Sequence, residues 1–167
     1  MHAVQIARLV GAGPVIAIDP LPAARDRSLL AGADHALDAL APDLPARLLE
    51  LTGGQGLDVA VDLVGSNAVL AQAASALGRP GRVVMIGLSL EPIQLGTGAL
   101  FGVKAQSLLG HLGYSKANLD TVVDLVASRR LDVSASISGV LPLTDVAAGV
   151  EQLRSKQGNP VRLVVAP

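Results

Sequence analysis

The sequence predicts an α/β protein built on a doubly wound parallel sheet. Short apolar runs rich in Val, Ile and Leu recur along the chain, and segments with helical spacing of apolar residues separate most of them. The run Val15–Ile18 is apolar at every position, which is typical of a strand covered by helices on both faces. Alternation of strands and helices at this spacing favours a parallel sheet over an antiparallel sandwich.

The individual elements follow from these runs and from the Gly and Pro residues that bound them. Strands are predicted at residues 15–18, 35–37, 57–64, 82–88, 107–112 and 161–165. Helices are predicted at residues 1–10, 22–31, 45–51, 67–77, 118–130 and, with Thr144 as N-cap, through 153. Residues 78–81 are predicted to form a turn, and residues 91–104 receive no assignment because glycines interrupt them. Helix 118–130 is expected to carry basic residues in its last turn and to direct its apolar residues inward, namely Leu119, Val122, Val123, Leu125 and Val126.

Composition excludes several classes of protein. The 167 residues suit one domain with its own core, and half of them are apolar, so general disorder is excluded. A net charge of −1 argues against a nucleic-acid partner held by phosphate contacts. The chain has no Cys, and no apolar run reaches the roughly 18 residues of a membrane span. With no secretory signal visible either, we expect a cytoplasmic protein without a membrane partner.

An acidic residue, Asp19, closes the first predicted strand. A carboxylate at the carboxyl end of such a strand is well placed to accept hydrogen bonds from an adenosine ribose. Asp19 also directly precedes Pro20, so a role as a helix cap or turn residue is an equal alternative on spacing alone.

Several stretches resemble, in order, the cofactor half of the medium-chain dehydrogenase/reductase family, which includes the zinc-type alcohol dehydrogenases. The most diagnostic is L-T-G-G-Q-G-L-D-V-A-V-D-L-V-G at residues 51–65, a glycine turn into a strand that ends in V-G. V-I-A-I-D-P, A-G-A-D-H-A-L-D, G-R-V-V-M-I-G and the closing G-V-L-P-L-T-D-V match further family segments. The resemblance covers essentially the whole chain and implies a Rossmann-like fold and an NAD-dependent oxidoreductase.

Residue by residue, the resemblance implies a cofactor site at the strand ends. Asp19 would hold the adenosine ribose and favour NAD over NADP. Members of the family often carry Lys or Arg five or six residues after this acid, and Arg25 stands at the second of these places, with Ala24 at the first.

The remaining implied contacts lie further along the chain. Val64 and Gly65 would lie under the cofactor, and the backbone of Gly87 and Leu88 would lie near the nicotinamide carboxamide. Arg162 would direct its guanidinium toward the pyrophosphate, for which a planar donor is suited. A solvated charge at a strand edge is the alternative for Arg162.

The resemblance also implies what this chain lacks. The family it resembles places a first strand and a G-x-G-x-x-G loop before the first helix, and this chain begins where that loop would end. The sheet is therefore expected to lack its first strand, which in the order 3-2-1-4-5-6 lies between the strands ending at Asp19 and Val64. Residues 1–137 would form the truncated core, and residues 138–167 would return to an absent catalytic domain that holds the zinc.

The implied activity is hydride transfer between NAD and a small-molecule alcohol or carbonyl compound, within a homo-oligomer. The isolated chain is expected to be inactive, since the zinc site and most of the substrate pocket belong to the absent domain. Two alternatives remain open: a zinc-free quinone reductase of the same family, and a non-catalytic nucleotide-binding or oligomerising module.

Other polar residues are less suggestive of chemistry. His2, His35 and His111 show no metal-ligand spacing, so no metal site is predicted. Asp58 and Asp62 lie four apart on one predicted strand, where a strand-end polar pair is favoured over a catalytic carboxylate pair.

Overall fold

A computed structural model describes the backbone of residues 1–167 and every side chain except that of Leu100. The chain divides into two compact units, one formed by Met1 and Ala3–Ser115 and the other by His2 and Lys116–Pro167.

The elements preceding Lys116 alternate between helix and strand. They are α1 (His2–Leu9), β1 (Ile16–Ile18), α2 (Pro22–Leu30), β2 (His35–Leu37), α3 (Leu44–Leu51), β3 (Leu57–Asp62), α4 (Asn67–Ala76), β4 (Leu77–Met85), α5 (Gly98–Val103) and β5 (Ser107–Gly110). The elements that follow are α6 (Lys116–Ala127), β6 (Gly139–Pro142), α7 (Val146–Ser155) and β7 (Leu163–Ala166), with 3₁₀ turns at Ser134–Ser136 and Leu143–Asp145.

Every strand pairing is parallel, which confirms the predicted fold class. In the first unit β1 pairs with β2, and β3, β4 and β5 form a separate sheet in that order. In the second unit β6 pairs with β7. Among the described strands, β1 and β3 are each paired on one side only, and these are the two strands expected to flank the absent first strand.

A cluster of apolar side chains beneath α3 joins the two sheets of the first unit. Leu44 and Leu48 of α3 are 1% exposed and pack with Ala76 at the end of α4. Ile16 of β1 and Leu57 of β3 pack against this same cluster. Side chains therefore connect strands between which no hydrogen-bonded ladder runs.

The predicted turn at residues 78–81 is wrong, because β4 already begins at Leu77. The glycines there serve close backbone packing: a Cβ on Gly78 would lie 2.3 Å from the carbonyl oxygen of Gln55, and one on Gly81 would lie 2.9 Å from that of Leu57. Glycine within a strand often marks such an approach. The same strand ends at Met85, three residues before its predicted end.

The second unit departs further from expectation. Helix α6 ends at Ala127, has no basic residue in its last turn and buries none of its side chains, so its predicted inner face is exposed or half-buried. Thr144 does not cap α7: it lies in the preceding 3₁₀ turn and donates to the carboxylate of Asp145 at 3.0 Å. Strand β6 was not predicted, although it pairs over four residues with β7.

The cluster beneath α3 yields a stability prediction. Replacing Leu48→Ala is expected to lower the free energy of unfolding by about 2–5 kcal/mol, because it removes a fully buried side chain and leaves a cavity. Urea denaturation followed by circular dichroism measures this. Leu30→Ala is the matched control, since Leu30 is 89% exposed on α2 and should change stability by no more than about 0.5 kcal/mol. Equal losses in both variants would show that the cluster does not hold this unit together.

Candidate cofactor-binding site

The turn after β3 is organised by the buried carboxylate of Asp62, which is 2% exposed. Its Oδ1 accepts hydrogen bonds from the backbone N–H groups of Val64 (2.8 Å) and Gly65 (3.0 Å), and Oδ2 accepts from Gly65 at 3.1 Å. The carbonyl oxygen of Asp62 accepts from the N–H groups of Ile86 (2.8 Å) and Gly87 (3.0 Å). One residue thus ties the turn after β3 to the turn after β4.

Gly65 and Gly87 meet backbone to backbone within this arrangement. Gly65 has φ +83°, and a Cβ on it would lie 2.7 Å from the carbonyl oxygen of Gly87. A Cβ on Gly87 would lie 2.3 Å from the backbone nitrogen of Gly65. Only glycine fits at either position, since real Cβ atoms do not approach other atoms so closely.

Four of the predicted site residues are therefore brought together at the carboxyl edge of one sheet. The two glycines are buried, while the side chains of Val64 and Leu88 are 62% and 74% exposed. Leu63 and Leu90 are exposed beside them in sequence. The edge thus presents apolar side chains above a rigid, hydrogen-bonded backbone.

Asp19 lies at the carboxyl end of β1, half-buried, and forms part of a turn. Its N–H donates to the carbonyl oxygen of Leu37 at 3.1 Å, and its Oδ1 accepts from the N–H of Leu21 at 2.8 Å. This is the turn role that sequence spacing left as an alternative. Oδ2 makes no hydrogen bond or ion pair within the described part of the chain, so one carboxylate oxygen remains available to a ligand.

Arg25 fastens the ends of β1 and β2. Its Nη1 donates to the carbonyl oxygens of Asp19 (2.8 Å) and Pro20 (3.0 Å) and lies 3.5 Å from Oδ2 of Asp38, the residue that follows β2. Sequence reasoning noted Arg25 but missed Asp38. The available signal was an acid at the end of a second strand, in the same position relative to β2 as Asp19 is to β1.

Arg162 lies in the second unit, exposed and immediately before β7. Its Nη1 is 3.3 Å from Nε2 of His2, which groups with the same unit. Burial is the main cause that lowers the pKa of His2, the Arg162 charge and the amino terminus lower it further, and Asp132 opposes them.

Asn67, at the start of α4, is a residue of this edge that sequence reasoning missed. Its Nδ2 donates to Glu91 Oε2 (3.2 Å) and to the carbonyl oxygen of Pro92 (2.9 Å), while its Oδ1 accepts from the N–H of Gln94 at 2.9 Å. The unassigned glycine-containing segment is thereby anchored beside the turn that follows β3. Nothing in its local pattern indicated these long-range contacts.

Asp58 and Asp62, the two acidic residues of β3, lie in different environments and do not form a pair. Asp58 is exposed whereas Asp62 is buried, and the pairing of β3 with β4 shifts register between Leu57 and Val59. Within the described side chains, no group of three or more His, Cys, Asp or Glu residues is placed to hold a metal ion. No described helix is both long enough and apolar enough to cross a membrane.

The chain belongs to the zinc-binding dehydrogenase family, whose sequence model matches residues 1–128. It covers the cofactor-binding half of the medium-chain dehydrogenase/reductase proteins, as its sequence indicated.

Individual relatives agree with this assignment. The chain is 32% identical over 120 residues to 2-dehydro-3-deoxy-L-galactonate 5-dehydrogenase of Pseudoalteromonas atlantica, covering 71% of this chain and 33% of that protein. It is 41% identical over 91 residues to the NDMA-dependent alcohol dehydrogenase of Amycolatopsis methanolica, covering 53% of this chain and 24% of that protein. The alcohol dehydrogenase TADH from Thermus sp. ATN1 superposes with a TM-score of 0.90 at 28% identity over 98% of this chain and 47% of its own. The chain thus spans half or less of the length of the proteins it matches.

The two aspartates of β3 provide a matched test of the turn that Asp62 organises. Asp62→Asn is expected to lower the free energy of unfolding by about 1–3 kcal/mol, because the amide nitrogen cannot accept the hydrogen bonds that one carboxylate oxygen accepts. Asp58→Asn makes the same chemical change on the exposed side of the strand and should alter stability by no more than about 0.5 kcal/mol. Denaturant titration of both variants decides this, and a loss as large in Asp58→Asn would contradict it.

Proposed function

We propose that this chain is the NAD-binding half of an alcohol dehydrogenase-like oxidoreductase, which transfers hydride between NAD and a small alcohol or carbonyl compound. Membership of a dehydrogenase family supports the reaction class. The observation that carries the proposal is the carboxyl edge of the strands, where Gly65 and Gly87 meet under Asp62 and where Asp19 keeps one carboxylate oxygen open.

The end of β1 fits the adenosine part of the cofactor. A carboxylate accepts hydrogen bonds from both hydroxyls of a ribose, whereas it repels the 2′-phosphate that distinguishes NADP from NAD. Asp19 is held in place through Oδ1 by the N–H of Leu21, so its second oxygen is already oriented. Asp19 thus serves both as a turn residue and as a ribose acceptor.

The edge of the other sheet fits the nicotinamide part. The exposed side chains of Val64 and Leu88 offer an apolar surface to the ring. In the proposal the carbonyl group of Gly87 and the backbone of Leu88 bind the carboxamide, since the N–H of Gly87 already donates to Asp62. When bound, the cofactor supplies the ring carbon that accepts or donates the hydride. The contribution of these residues is to position that ring and exclude water from one side of it.

The rest of the proposal concerns the second unit and the whole protein. Arg162 binds the pyrophosphate through its planar guanidinium, and residues 138–167 belong with a catalytic domain that carries zinc and most of the substrate pocket. The complete protein is a cytoplasmic homo-oligomer.

The first test concerns Asp19 and uses the adenosine half of the cofactor on the 167-residue chain. We expect 5′-AMP to bind more tightly than adenosine 2′,5′-bisphosphate, as measured by chemical-shift titration. Asp19→Asn should reduce this preference about tenfold, because it removes a charged acceptor while its amide oxygen can still accept from Leu21. Asp43→Asn, an exposed acid before α3, serves as the control and should leave the preference unchanged. An unchanged preference in Asp19→Asn would make Asp19 a turn residue only.

The second test concerns the chain by itself. The 167-residue chain is mixed with NAD, zinc and a panel of primary and secondary alcohols, and NADH is measured by its absorbance at 340 nm. We expect no NADH formation above background. The physical reason is that hydride transfer needs donor and acceptor held in near-attack geometry, and the surfaces described bind only the cofactor side. Alcohol-dependent NADH formation would overturn the proposal that this half binds the cofactor while a separate catalytic domain carries the zinc and most of the substrate pocket. Failure of every nucleotide to bind would favour the alternative of an oligomerising module.

A further inference from the structure

The ion pair between Arg25 and Asp38 joins the ends of two strands beside the ribose acceptor. Arg25 lies on α2 with only 19% of its side chain exposed, and a single nitrogen, Nη1, meets the two carbonyl oxygens of Asp19 and Pro20 and approaches Asp38. The guanidinium is therefore held against the backbone rather than extended into solvent.

Asp38 is itself fixed in orientation. Its Oδ1 accepts a hydrogen bond from the N–H of Leu40 at 2.9 Å, and its carbonyl oxygen accepts from the N–H of Ala41 at 3.2 Å. The turn after β2 thus directs Oδ2 toward Arg25, 3.5 Å away. At the adenosine end of the site Arg25 is therefore paired with Asp38 and also contacts the backbone of Asp19. The amino terminus of Met1 interacts electrostatically with Asp19 and with Arg27.

An arginine next to the ribose-binding acid is the group that accommodates a 2′-phosphate where a protein takes NADP. On the basis of the proposed cofactor site, we infer that Asp38 is a specificity-determining residue. It holds the guanidinium of Arg25 in contact with the carbonyl oxygens of Asp19 and Pro20 and offsets its positive charge. Cofactor selection then depends on two acids. Asp19 attracts the ribose diol, and Asp38 prevents the nearby guanidinium from recruiting a phosphate on that ribose.

Asp38 acts through Arg25 and is a positioning residue, so its removal should change selectivity rather than binding as such. In Asp38→Asn the amide oxygen can still accept from Leu40, which preserves the turn, while the ion pair with Arg25 is lost. The guanidinium then has an uncompensated charge beside the ribose site. Because the pair is partly exposed, we expect a change of about two- to fivefold in favour of a 2′-phosphate.

The experiment measures dissociation constants of 5′-AMP and adenosine 2′,5′-bisphosphate for the full chain by chemical-shift titration at low and high salt. Asp38→Asn should raise the affinity for the bisphosphate relative to 5′-AMP about two- to fivefold, and the gain should shrink with added salt. Asp38→Glu, which keeps a charge for Arg25, should retain the original ratio. Asp26→Asn is the matched control, because it removes the same charge from the exposed neighbour of Arg25 on α2.

Each outcome has a distinct meaning. An unchanged ratio in Asp38→Asn, or an equal change in Asp26→Asn, would overturn the role of Asp38 while leaving the ribose function of Asp19 intact. If Asp38→Asn loses its fold, as its amide spectrum would show, the test uses Asp38→Ser, whose hydroxyl oxygen can also accept from the N–H of Leu40. A raised affinity for the bisphosphate relative to 5′-AMP in Asp38→Ser would support the inference, and an unchanged ratio would overturn it. Absence of binding by either nucleotide in the unaltered chain would overturn the proposed function together with this inference.

Discussion

Packing beneath α3 is the interaction on which the first unit depends. Between β1 and β3 no hydrogen-bonded ladder runs in the described chain, so the two sheets are joined through side chains. Leu44, Leu48 and Ala76 form that junction, and Ile16 and Leu57 contact it from the two sheets. Apolar packing is non-directional and proportional to buried area, so it can hold two sheets together without satisfying the free edge of either strand. Those edges keep their backbone groups available for a further parallel strand.

Strands that consist of a continuous apolar run were predictable because such a run is a local signal. Val15–Ile18 and the run through β3 combine β-branched residues with Gly or Pro boundaries, and no distant contact is needed to recognise them. Residues 78–81 were not predictable in the same way. There, Gly78 and Gly81 meet the backbone of another strand, and a local pattern cannot distinguish a glycine that turns the chain from one that admits a neighbour.

In the candidate site, too, some contacts follow from neighbouring residues and others depend on residues far apart in the sequence. A carboxylate at a strand end marks Asp19 in the sequence, and its turn contact with Leu21 lies two residues away. Arg25 and Asp38 meet only because α2 returns the chain so that β2 can pair with β1. The family resemblance indicated residues at Gly65 and Gly87, but the dependence of both turns on one buried carboxylate, that of Asp62, required the folded chain.

The two ends of the proposed cofactor site rely on different physics. At the adenosine end, the proposed selectivity rests on charge: Asp19, Asp38 and Arg25 are partly exposed, so exchanging one of them is expected to alter selectivity at little cost in stability. At the nicotinamide end, the geometry rests on close backbone approach. Gly65 and Gly87 leave no room for a Cβ, and the Asp62 carboxylate that holds their turns together is buried. Changes there disturb the fold and binding together. Cofactor preference can therefore vary at one end of such a site while the geometry for hydride transfer is retained at the other.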